Sequence, residues 1–554
     1  MKKTITFFIA FILLSASLTL LCSAQGFGSH ATLCPTCDTA GDLDGNGELN
    51  TDDATRLLFY TMFPERYSLS AHSDHTKKDC EDCKRAADMD QNGKLDSDDA
   101  VYLLYHTLAQ ERFPLPGCTY EGTLAVGYSR IDITPEETMD IYGSTANRVH
   151  DPLMMTCTAL DDGEHTALLF SLDLRSISVD FTQKMMDLAE EKFGIPGEQM
   201  LFNITHTHST PAITNNTAAG GRWRQKILNQ LPIVIQAALD DLDEVEAAYA
   251  GTGYTEGITF VRRYLCADGS YVMNPSASDK PVAHETEADN QMRTLRIDRK
   301  HKKDVLMVNY QTHYGSATGL YPGKYSADFV HVFREEAEKK WDCHFVYHSG
   351  ASANLNFVSA LPGERKYQDF IQATKKGLMP VAEGCIAGEK EVSVGDLRFA
   401  SNWYTAPVYQ DTEEDIANAK IVNSSGLSTD SKEYKALAQS YGFAGYRQVQ
   451  GIITRSKLDE TLDVPFYAIS FGEIGFVSAP YEMFDTNGMQ VRDGSPFEMT
   501  FVCSYTNGGF GYVPSSYAFP HGGYEVFVSR FCETTGDDFA EEMIRLLNEC
   551  KKQN

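Results

Sequence analysis

The stretch Met200-Leu-Phe-Asn-Ile-Thr-His206-Thr-His208-Ser-Thr-Pro211 runs from apolar residues into two closely spaced histidines. A strand that ends in this way offers imidazole nitrogen, which zinc accepts as a ligand. We expect one metal ion to be bound by only one of the two histidines, which leaves the other for catalysis. Taken alone, the motif is equally compatible with a turn that imidazole hydrogen bonds stabilise. A further histidine, His313, ends an apolar run that begins at Leu306, and by itself it fits an ordinary strand end.

Strand and helix signals alternate on both sides of this stretch. Apolar runs bounded by turn residues predict strands, and apolar residues at helical spacing predict helices. The predicted strands are 165–172, 305–310, 344–347, 466–477 with a turn at Gly472, and 498–504, and the predicted helices are 181–193 and 327–341. We therefore predict an α/β fold with a large mixed sheet for residues 122–554, with no obvious internal linker.

Two acidic loops, residues 42–53 and 88–99, repeat each other near the start of the chain. Oxygen-bearing side chains at loop positions 1, 3, 5, 9 and 12, with glycine at position 6, form the pattern of a calcium loop. Position 7, occupied by Glu48 and Lys94, contributes a backbone carbonyl. The predicted calcium ligands are Asp42, Asp44, Asn46, Glu48, Asn50 and Asp53 in the first loop and Asp88, Asp90, Asn92, Lys94, Asp96 and Asp99 in the second.

Each loop ends in Asp rather than the usual Glu and is followed by one predicted helix, at 54–62 and 100–108. In these respects residues 33–112 resemble a dockerin, a small α-helical module of two calcium loop-helix repeats. The resemblance implies a cohesin-bearing scaffold protein as partner, as in a cellulosome. A Cys-x-x-Cys precedes each loop, and the four thiols form either two disulfides or a zinc site. They are Cys34, Cys37, Cys80 and Cys83.

Residues 1–24 have the layout of a secretory signal peptide, with Met-Lys-Lys before an apolar run from Ile5 to Leu21. A lipid anchor at Cys22 is the rival interpretation, although the bulky Leu21 before it argues against lipid attachment. No other segment approaches the length of a membrane span. A net charge of −29 makes nucleic acid an improbable partner. We expect a secreted protein in which a linker, residues 113–121, joins two domains.

Short motifs distributed over most of residues 125–530 resemble the neutral, non-lysosomal ceramidase family. The motifs are specific in combination, although each is short. They are Val126-Gly-Tyr-Ser-Arg-Ile-Asp-Ile-Thr-Pro135, Val149-His-Asp-Pro-Leu153, Thr205-His-Thr-His-Ser209, Arg262-Arg-Tyr-Leu-Cys-Ala-Asp-Gly269, Pro480-Tyr-Glu-Met-Phe484, Gly511-Tyr-Val-Pro514 and Tyr524-Glu525. The resemblance implies a zinc-dependent hydrolase that cleaves the amide bond of ceramide-like N-acyl lipids.

The same resemblance implies a role for each matching residue. The zinc ligands would be His206, His313, Glu482 and Tyr512, and His208 would contact the scissile carbonyl or its oxyanion. Tyr524 and one of Arg262 or Arg263 would lie near the reacting group.

The nucleophile loop departs from the family pattern, because neither its Gln nor its Asp is present in residues 347–356. The nucleophile is therefore either Ser349 or water activated by the zinc.

Three functional hypotheses follow. The first is a secreted zinc amidase of ceramidase type that is tethered through its dockerin-like module. The second keeps the zinc hydrolase but assigns it an ester or N-acyl group on carbohydrate, which the altered nucleophile loop permits. The third is a non-catalytic component of a scaffold, whose α/β domain only binds a ligand. The presence of all four expected zinc ligands favours the enzymatic hypotheses over the third.

Overall fold

A computed structural model describes residues 51–62, 87, 95, 97–108, 124–313 and 319–553. The chain divides into two compact units, and the larger one begins at Ala125. In the described part of the chain, no helix is both long enough and apolar enough to cross a membrane.

The N-terminal unit contains two helices, α1 (Thr51–Met62) and α2 (Ser97–Leu108), that share a small apolar core. Ala54 and Leu57 of α1 occupy the same repeat positions as Ala100 and Leu103 of α2, and all four are buried. The sequence repeat is thus also a repeat in packing.

Asp53 and Asp99, at the last loop position of each predicted calcium site, are fully buried at the starts of α1 and α2. Several other predictions fall outside the described residues and stay predictions: the signal peptide, the linker 113–121, and the four cysteines of the Cys-x-x-Cys motifs. The remaining calcium ligands do so as well, namely Asp42, Asp44, Asn46, Glu48, Asn50, Asp88, Asp90, Asn92, Lys94 and Asp96.

The large unit alternates strands with helices, as the apolar patterns predict. Its strands are β1 Ala125–Asp132, β2 Met139–Ile141, β3 Ser144–Ala146, β4 Arg148–Val149, β5 Met154–Asp161, β6 Thr166–Leu172, β7 Met200–Ile204, β8 Asp243–Tyr254, β9 Phe260–Val261, β10 Arg263–Cys266, β11 Tyr271–Met273, β12 Pro281–His284, β13 Gln291–Arg299, β14 Val305–Tyr310, β15 Lys324–Tyr325, β16 His344–Ser349, β17 Leu355–Asn356, β18 Lys390–Val392, β19 Leu397–Pro407, β20 Thr461–Phe471, β21 Ile474–Ala479, β22 Glu482–Met483, β23 Met499–Ser504 and β24 Tyr512–Val513. Its α-helices are α3 Val179–Phe193, α4 Ala218–Asp240, α5 Phe329–Trp341, α6 Phe370–Ala373, α7 Met379–Ala387, α8 Glu413–Asn423, α9 Lys432–Ser440, α10 Tyr446–Arg455, α11 Asp485–Asp493, α12 Tyr524–Val528 and α13 Thr535–Lys552.

The largest sheet has nine strands, in the order β16-β14-β13-β8-β1-β5-β6-β7, with β18 also paired to β8. It is a mixed sheet, because β6 is parallel to β7 and β14 is parallel to β16, whereas β13 runs antiparallel to β8 and β14. Strands β6, β7 and β14 are almost wholly buried, which explains their largely apolar sequences. The predicted mixed α/β fold with a large mixed sheet is therefore confirmed.

The two edges of this sheet are connected by side-chain hydrogen bonds rather than by backbone pairing of strands. The Ser171 hydroxyl on β6 donates to the carbonyl of Tyr347 on β16 at 2.5 Å. The Ser349 backbone amide donates to the side-chain oxygen of Asn203 on β7 at 2.8 Å. These two hydrogen bonds connect the opposite edges of the sheet. The C-terminal ends of β7 and β16 therefore lie next to each other.

A second sheet of four strands, β19-β20-β21-β23, packs against α13 through a core that includes Phe466, Phe539 and Met543. Its strand β23 contacts the large sheet through the buried side-chain amide of Asn203. That amide donates to the Ser504 carbonyl at 2.7 Å and to the Thr506 hydroxyl at 2.8 Å. One asparagine therefore joins β7, β16 and the end of β23.

A helical insertion separates β19 from β20. Its helices α8, α9 and α10 enclose a small core of their own, which includes Tyr434, Phe443 and Val449. The strands on either side form an antiparallel pair in which Pro407 lies opposite Thr461. The insertion therefore begins and ends at paired residues of the sheet.

The Asn203 network gives a test of this architecture. Asn203→Ala leaves the buried Ser349 amide without its acceptor and removes one of the two donors to the Ser504 carbonyl. The loss of these buried hydrogen bonds costs about 2 to 3 kcal/mol, so we expect a fall in Tm of roughly 2 to 3 °C by circular dichroism for a unit of this size. Asn229→Ala on the exposed face of α4 is the matched control and should leave Tm nearly unchanged. An equal Tm for both variants would refute the bridging role.

Candidate metal centre

The two histidines of the opening motif converge in the structure. Strand β7 ends at Ile204, and His206 adopts a left-handed backbone conformation with φ of 58°. The Nε2 atoms of His206 and His208 are 3.3 Å apart. Both rings could therefore reach one metal ion, and the expectation that only one of the pair binds it stays a prediction. The chain turns at His206, and both rings end on the same side of the turn.

His313 completes a cluster of three imidazoles. It follows the end of β14 by three residues, and its ring lies 5.0 Å from that of His206 and 5.3 Å from that of His208 between centroids. One nitrogen from each histidine lies within 4.8 Å of the others, so the three could hold a single metal ion.

Backbone carbonyls fix the orientation of two of these rings. Nδ1 of His206 donates to the Arg175 carbonyl at 2.6 Å, and Nδ1 of His313 donates to the Ser352 carbonyl at 3.4 Å. With the proton on Nδ1, each ring presents the lone pair of Nε2. Hydrogen bonds of this kind orient histidine ligands in metal sites.

Burial keeps the imidazoles neutral. It lowers the pKa of His206 and of His313 well below the usual value, and neighbouring positive charge adds to the effect. Burial, with Arg175 and Arg262 nearby, lowers the pKa of His208 to about 3. Neutral imidazole is the form that binds a metal ion.

Glu482 and Tyr512 are brought to the cluster by a short parallel ladder, in which they are direct partners of strands β22 and β24. The Glu482 Oε2 atom lies 3.8 Å from Nε2 of His206 and is buried without a hydrogen-bond partner. Burial raises the pKa of Glu482 to about 7, and a hydrogen bond from Tyr512 partly offsets this rise. A buried carboxylate oxygen with no partner needs an explanation.

The donor set fits a divalent metal such as zinc. Zinc in proteins takes neutral imidazole nitrogen and carboxylate oxygen, usually four ligands in all. The cluster supplies nitrogen from His206, His208 and His313, and Glu482 supplies an unpartnered oxygen beside it. A cation here would give that oxygen a partner, and it would favour the charged form of the carboxylate.

The two neighbouring arginines have different surroundings. Arg262 lines the cavity beside the cluster, donates from Nε to Glu525 at 2.8 Å and from Nη2 to the Tyr512 hydroxyl at 3.1 Å. Arg263 is held by Glu285 and Glu525 in buried ion pairs at 2.6 and 3.0 Å. Of the two, Arg262 is therefore the one placed beside the candidate ligands.

Ser349 and Tyr524 differ in their access to the cavity. Tyr524, at the start of α12, lies on the cavity wall, with its ring 5.2 Å from that of Tyr512. Ser349 is buried in β16 with its hydroxyl unpaired, and it does not belong to the cavity wall. Its role as nucleophile stays a prediction, one that this placement does not favour.

Sequence reasoning missed two tyrosines at the cluster. The Tyr505 ring stacks on His206 at 4.2 Å, and its hydroxyl lies 3.1 Å from that of Ser352. Tyr142, at the tip of the β2–β3 hairpin, lies 4.9 Å from the His208 ring. Neither belongs to a recognisable motif, because each reaches the site from a turn distant in sequence.

A cavity of about 610 Å³ opens onto this cluster. Among the residues on its wall are His208, His313, Arg262, Tyr512 and Tyr524. A cavity of this size suits a small-molecule ligand, and convergent polar groups with shifted pKa values mark a candidate functional site.

Two solved structures share the fold. One, a neutral ceramidase from Pseudomonas aeruginosa, aligns with a TM-score of 0.56 over 78% of this chain and 75% of its own, at 14% sequence identity. The other, a ceramidase complexed with C2, aligns with a TM-score of 0.57 over 78% and 76%, also at 14% identity. No protein-family model and no curated protein sequence matches the chain. The chain therefore has a ceramidase-like fold, and its chemistry rests on its own residues.

Metal analysis of variants tests the cluster. His206→Ala and His313→Ala each remove one nitrogen donor, so purified protein should retain roughly one zinc ion per chain fewer than wild type. The matched control is His301→Ala, because His301 is exposed outside the cluster. Mass spectrometry of the metal content provides the measurement.

His208→Ala separates the two possible ligand sets. Loss of zinc in this variant indicates a three-histidine site. Retention of zinc leaves His208 free for catalysis, with Glu482 and Tyr512 as the further ligands. A zinc content equal to that of wild type in both His206→Ala and His313→Ala would contradict the metal centre itself.

Proposed function

We propose that the protein is a zinc-dependent hydrolase of ceramidase type, which cleaves the amide bond of N-acyl lipids. The observation that carries this proposal is the group of three neutral imidazoles beside the unpartnered oxygen of Glu482, at a cavity in a ceramidase-like fold. The reaction adds water across the amide C–N bond and releases a fatty acid and an amine.

The residues that would hold the zinc are His206 and His313 with Glu482 and Tyr512, or with His208 in the set. When bound, the ion supplies a Lewis acid that polarises a carbonyl and lowers the pKa of water. The protein contributes orientation, because the Arg175 and Ser352 carbonyls hold two of the rings.

Other polar groups on the cavity wall can act on the amide. The neutral His208 ring can take up a proton or hydrogen-bond to a developing negative charge. The Arg262 guanidinium and the Tyr524 hydroxyl are donors on the cavity wall that can stabilise an oxyanion. Such donors act strongly because they are already oriented in a site with little water.

The cavity mouth offers apolar surface for an acyl chain. Tyr142, Leu320 and Val358 lie on its wall and are each more than 40% exposed. Exposed apolar side chains grouped at a cavity are typical of ligand sites rather than of ordinary surface. They support a substrate with an aliphatic tail.

A second candidate function is de-esterification or deacylation of acylated carbohydrate. Two observations favour it: the cavity wall also carries the amides of Asn274, Asn356 and Gln368, and Ser349 lies outside that wall. Side-chain amides are suited to hydrogen bonds with sugar hydroxyls.

We further propose that the N-terminal unit is a calcium-binding dockerin that tethers a secreted enzyme to a cohesin-bearing scaffold. The duplicated loop sequences support this proposal. So do the equivalent core positions of α1 and α2, and the burial of Asp53 and Asp99.

An activity assay tests the catalytic proposal. Purified protein should hydrolyse C12 to C18 ceramides, lose the activity with a chelator, and regain it with zinc. His206→Ala should lower kcat/KM by about 100-fold or more because it disturbs the metal, whereas His301→Ala should match wild type. Hydrolysis of acetylated xylan and p-nitrophenyl esters alone would overturn the ceramidase assignment in favour of the second candidate.

A binding assay tests the tether. Cohesin binding should require calcium and should be lost when Asp42→Ala and Asp88→Ala are combined, because each removes the first carboxylate of its loop. The control combines Asp187→Ala with Asp430→Ala, which removes the same amount of negative charge from two exposed positions of the large unit. Binding that persists in chelator would refute the calcium-dependent tether.

A further inference from the structure

Two exposed arginines, Arg365 and Arg447, lie on the wall of the cavity that opens onto the histidine cluster. Within the described residues, neither forms an ion pair, and Arg365 donates only to the nearby Gln368 carbonyl. In contrast, Arg262 and Arg263 are both paired with Glu525. Two guanidinium groups are thus left without a carboxylate partner at this cavity.

The charge of the cavity wall is opposite to that of the whole chain. The chain has a net charge of −29, but Arg262, Arg365 and Arg447 all lie on this wall. Asp369 is the carboxylate on this wall that offsets part of the positive charge. It caps α6 by accepting hydrogen bonds from the backbone amide and the side-chain amide of Gln372. Clefts lined by one sign of charge concentrate ligands of the other sign.

Arg447 is held at the cavity by tight packing of the helical insertion. Its helix α10 lies so close to α12 that a Cβ atom on Gly451 would be 1.9 Å from the Phe527 carbonyl. Arg455, on the same helix, donates to the carbonyls of Phe527 and Ser529 at 3.0 and 2.8 Å. The backbone position of Arg447 is therefore fixed relative to α12.

Cation–π contacts and one edge-to-face ring contact connect Arg447 with the candidate metal centre. Its guanidinium lies 5.1 Å from the Tyr524 ring, and Tyr524 lies 5.2 Å from Tyr512. The Arg262 guanidinium in turn lies 5.5 Å from the Tyr512 ring. A ligand that lies along this wall contacts Arg262 beside the histidine cluster. It contacts Arg447 on the far side of the two tyrosines.

We propose that Arg365 and Arg447 form a subsite for an anionic group on the amine portion of the substrate. This inference rests on the proposed amide hydrolysis and predicts that, among N-acyl lipids, those with an acidic headgroup are preferred, such as N-acyl amino acids or N-acyl sulfonates. Water adds across the C–N bond, and the products are a fatty acid and an amine that carries the anion. Guanidinium recognises carboxylate, sulfonate and phosphate by paired charged hydrogen bonds.

The test compares two amides of the same acyl length, N-lauroylglycine and N-lauroylethanolamine, whose headgroups differ chiefly in charge. Wild type should favour the anionic amide in kcat/KM. Each of Arg365→Met and Arg447→Met should lower the ratio of the two kcat/KM values by about tenfold, the value of one charge-assisted hydrogen bond. Arg545→Met, a change of an exposed arginine on α13, is the control and should leave the ratio unchanged.

Two further measurements distinguish the effect of the headgroup's charge from the effect of its chemical type. Because both arginines are exposed, about 1 M salt should reduce the wild-type preference by screening. N-lauroyltaurine in place of N-lauroylglycine distinguishes general anion recognition from recognition of carboxylate.

The outcomes also separate this inference from the proposed function. Equal rates for the charged and neutral amides, or a ratio unaltered in both arginine variants, would overturn the subsite while leaving amide hydrolysis intact. If neither these two amides nor the C12 to C18 ceramides are hydrolysed, the proposed function fails. Calorimetry then measures the binding of the same two amides to the wild-type protein. Equal Kd values would reject the anion subsite, and tighter binding of N-lauroylglycine would support it.

Discussion

The candidate site depends on the buried side chain of Asn203. Its oxygen accepts from the Ser349 amide, and its nitrogen donates to the Ser504 carbonyl and the Thr506 hydroxyl. These bonds tie the end of β7 to β16 and β23, which belong to different sheets. Because a buried amide must satisfy its polar atoms, it permits one relative placement of the three strands. His206 and Tyr505 follow closely after strands β7 and β23, so the placement of the strands also determines where these two residues lie.

Burial then determines what the clustered side chains can do. Removal from water keeps the imidazoles of His206, His208 and His313 neutral, and the Glu482 carboxylate lies beside them with one oxygen unpartnered. In solution these groups would each be satisfied by water. In the protein the same groups form a preorganised donor set, and the energetic cost of assembling it is met by the packing of the surrounding sheets.

Much of the fold could be predicted because the strands are apolar and bounded by turns. The predicted strand 305–310 coincides with β14, and the predicted helix 181–193 falls within α3 (Val179–Phe193). The convergence of His206 and His208 could not be predicted in the same way, because it depends on a left-handed residue outside any strand. Tyr505 and Arg447 were equally inaccessible, since tertiary packing brings them to the cavity from segments far apart in sequence. Resemblance of short motifs was needed to single out Glu482 and Tyr512, which lie together because β22 pairs with β24.

The helical insertion between β19 and β20 has an evolutionary consequence. Pro407 and Thr461 are paired across the sheet, so the ends of the insertion remain one strand spacing apart whatever lies between them. Its helices carry their own core, and a small residue at Gly451 is the main steric demand where α10 meets α12. The segment can therefore be exchanged as a cassette. Such an exchange would change the side chain at position 447 on the cavity wall and leave the histidine cluster as it is.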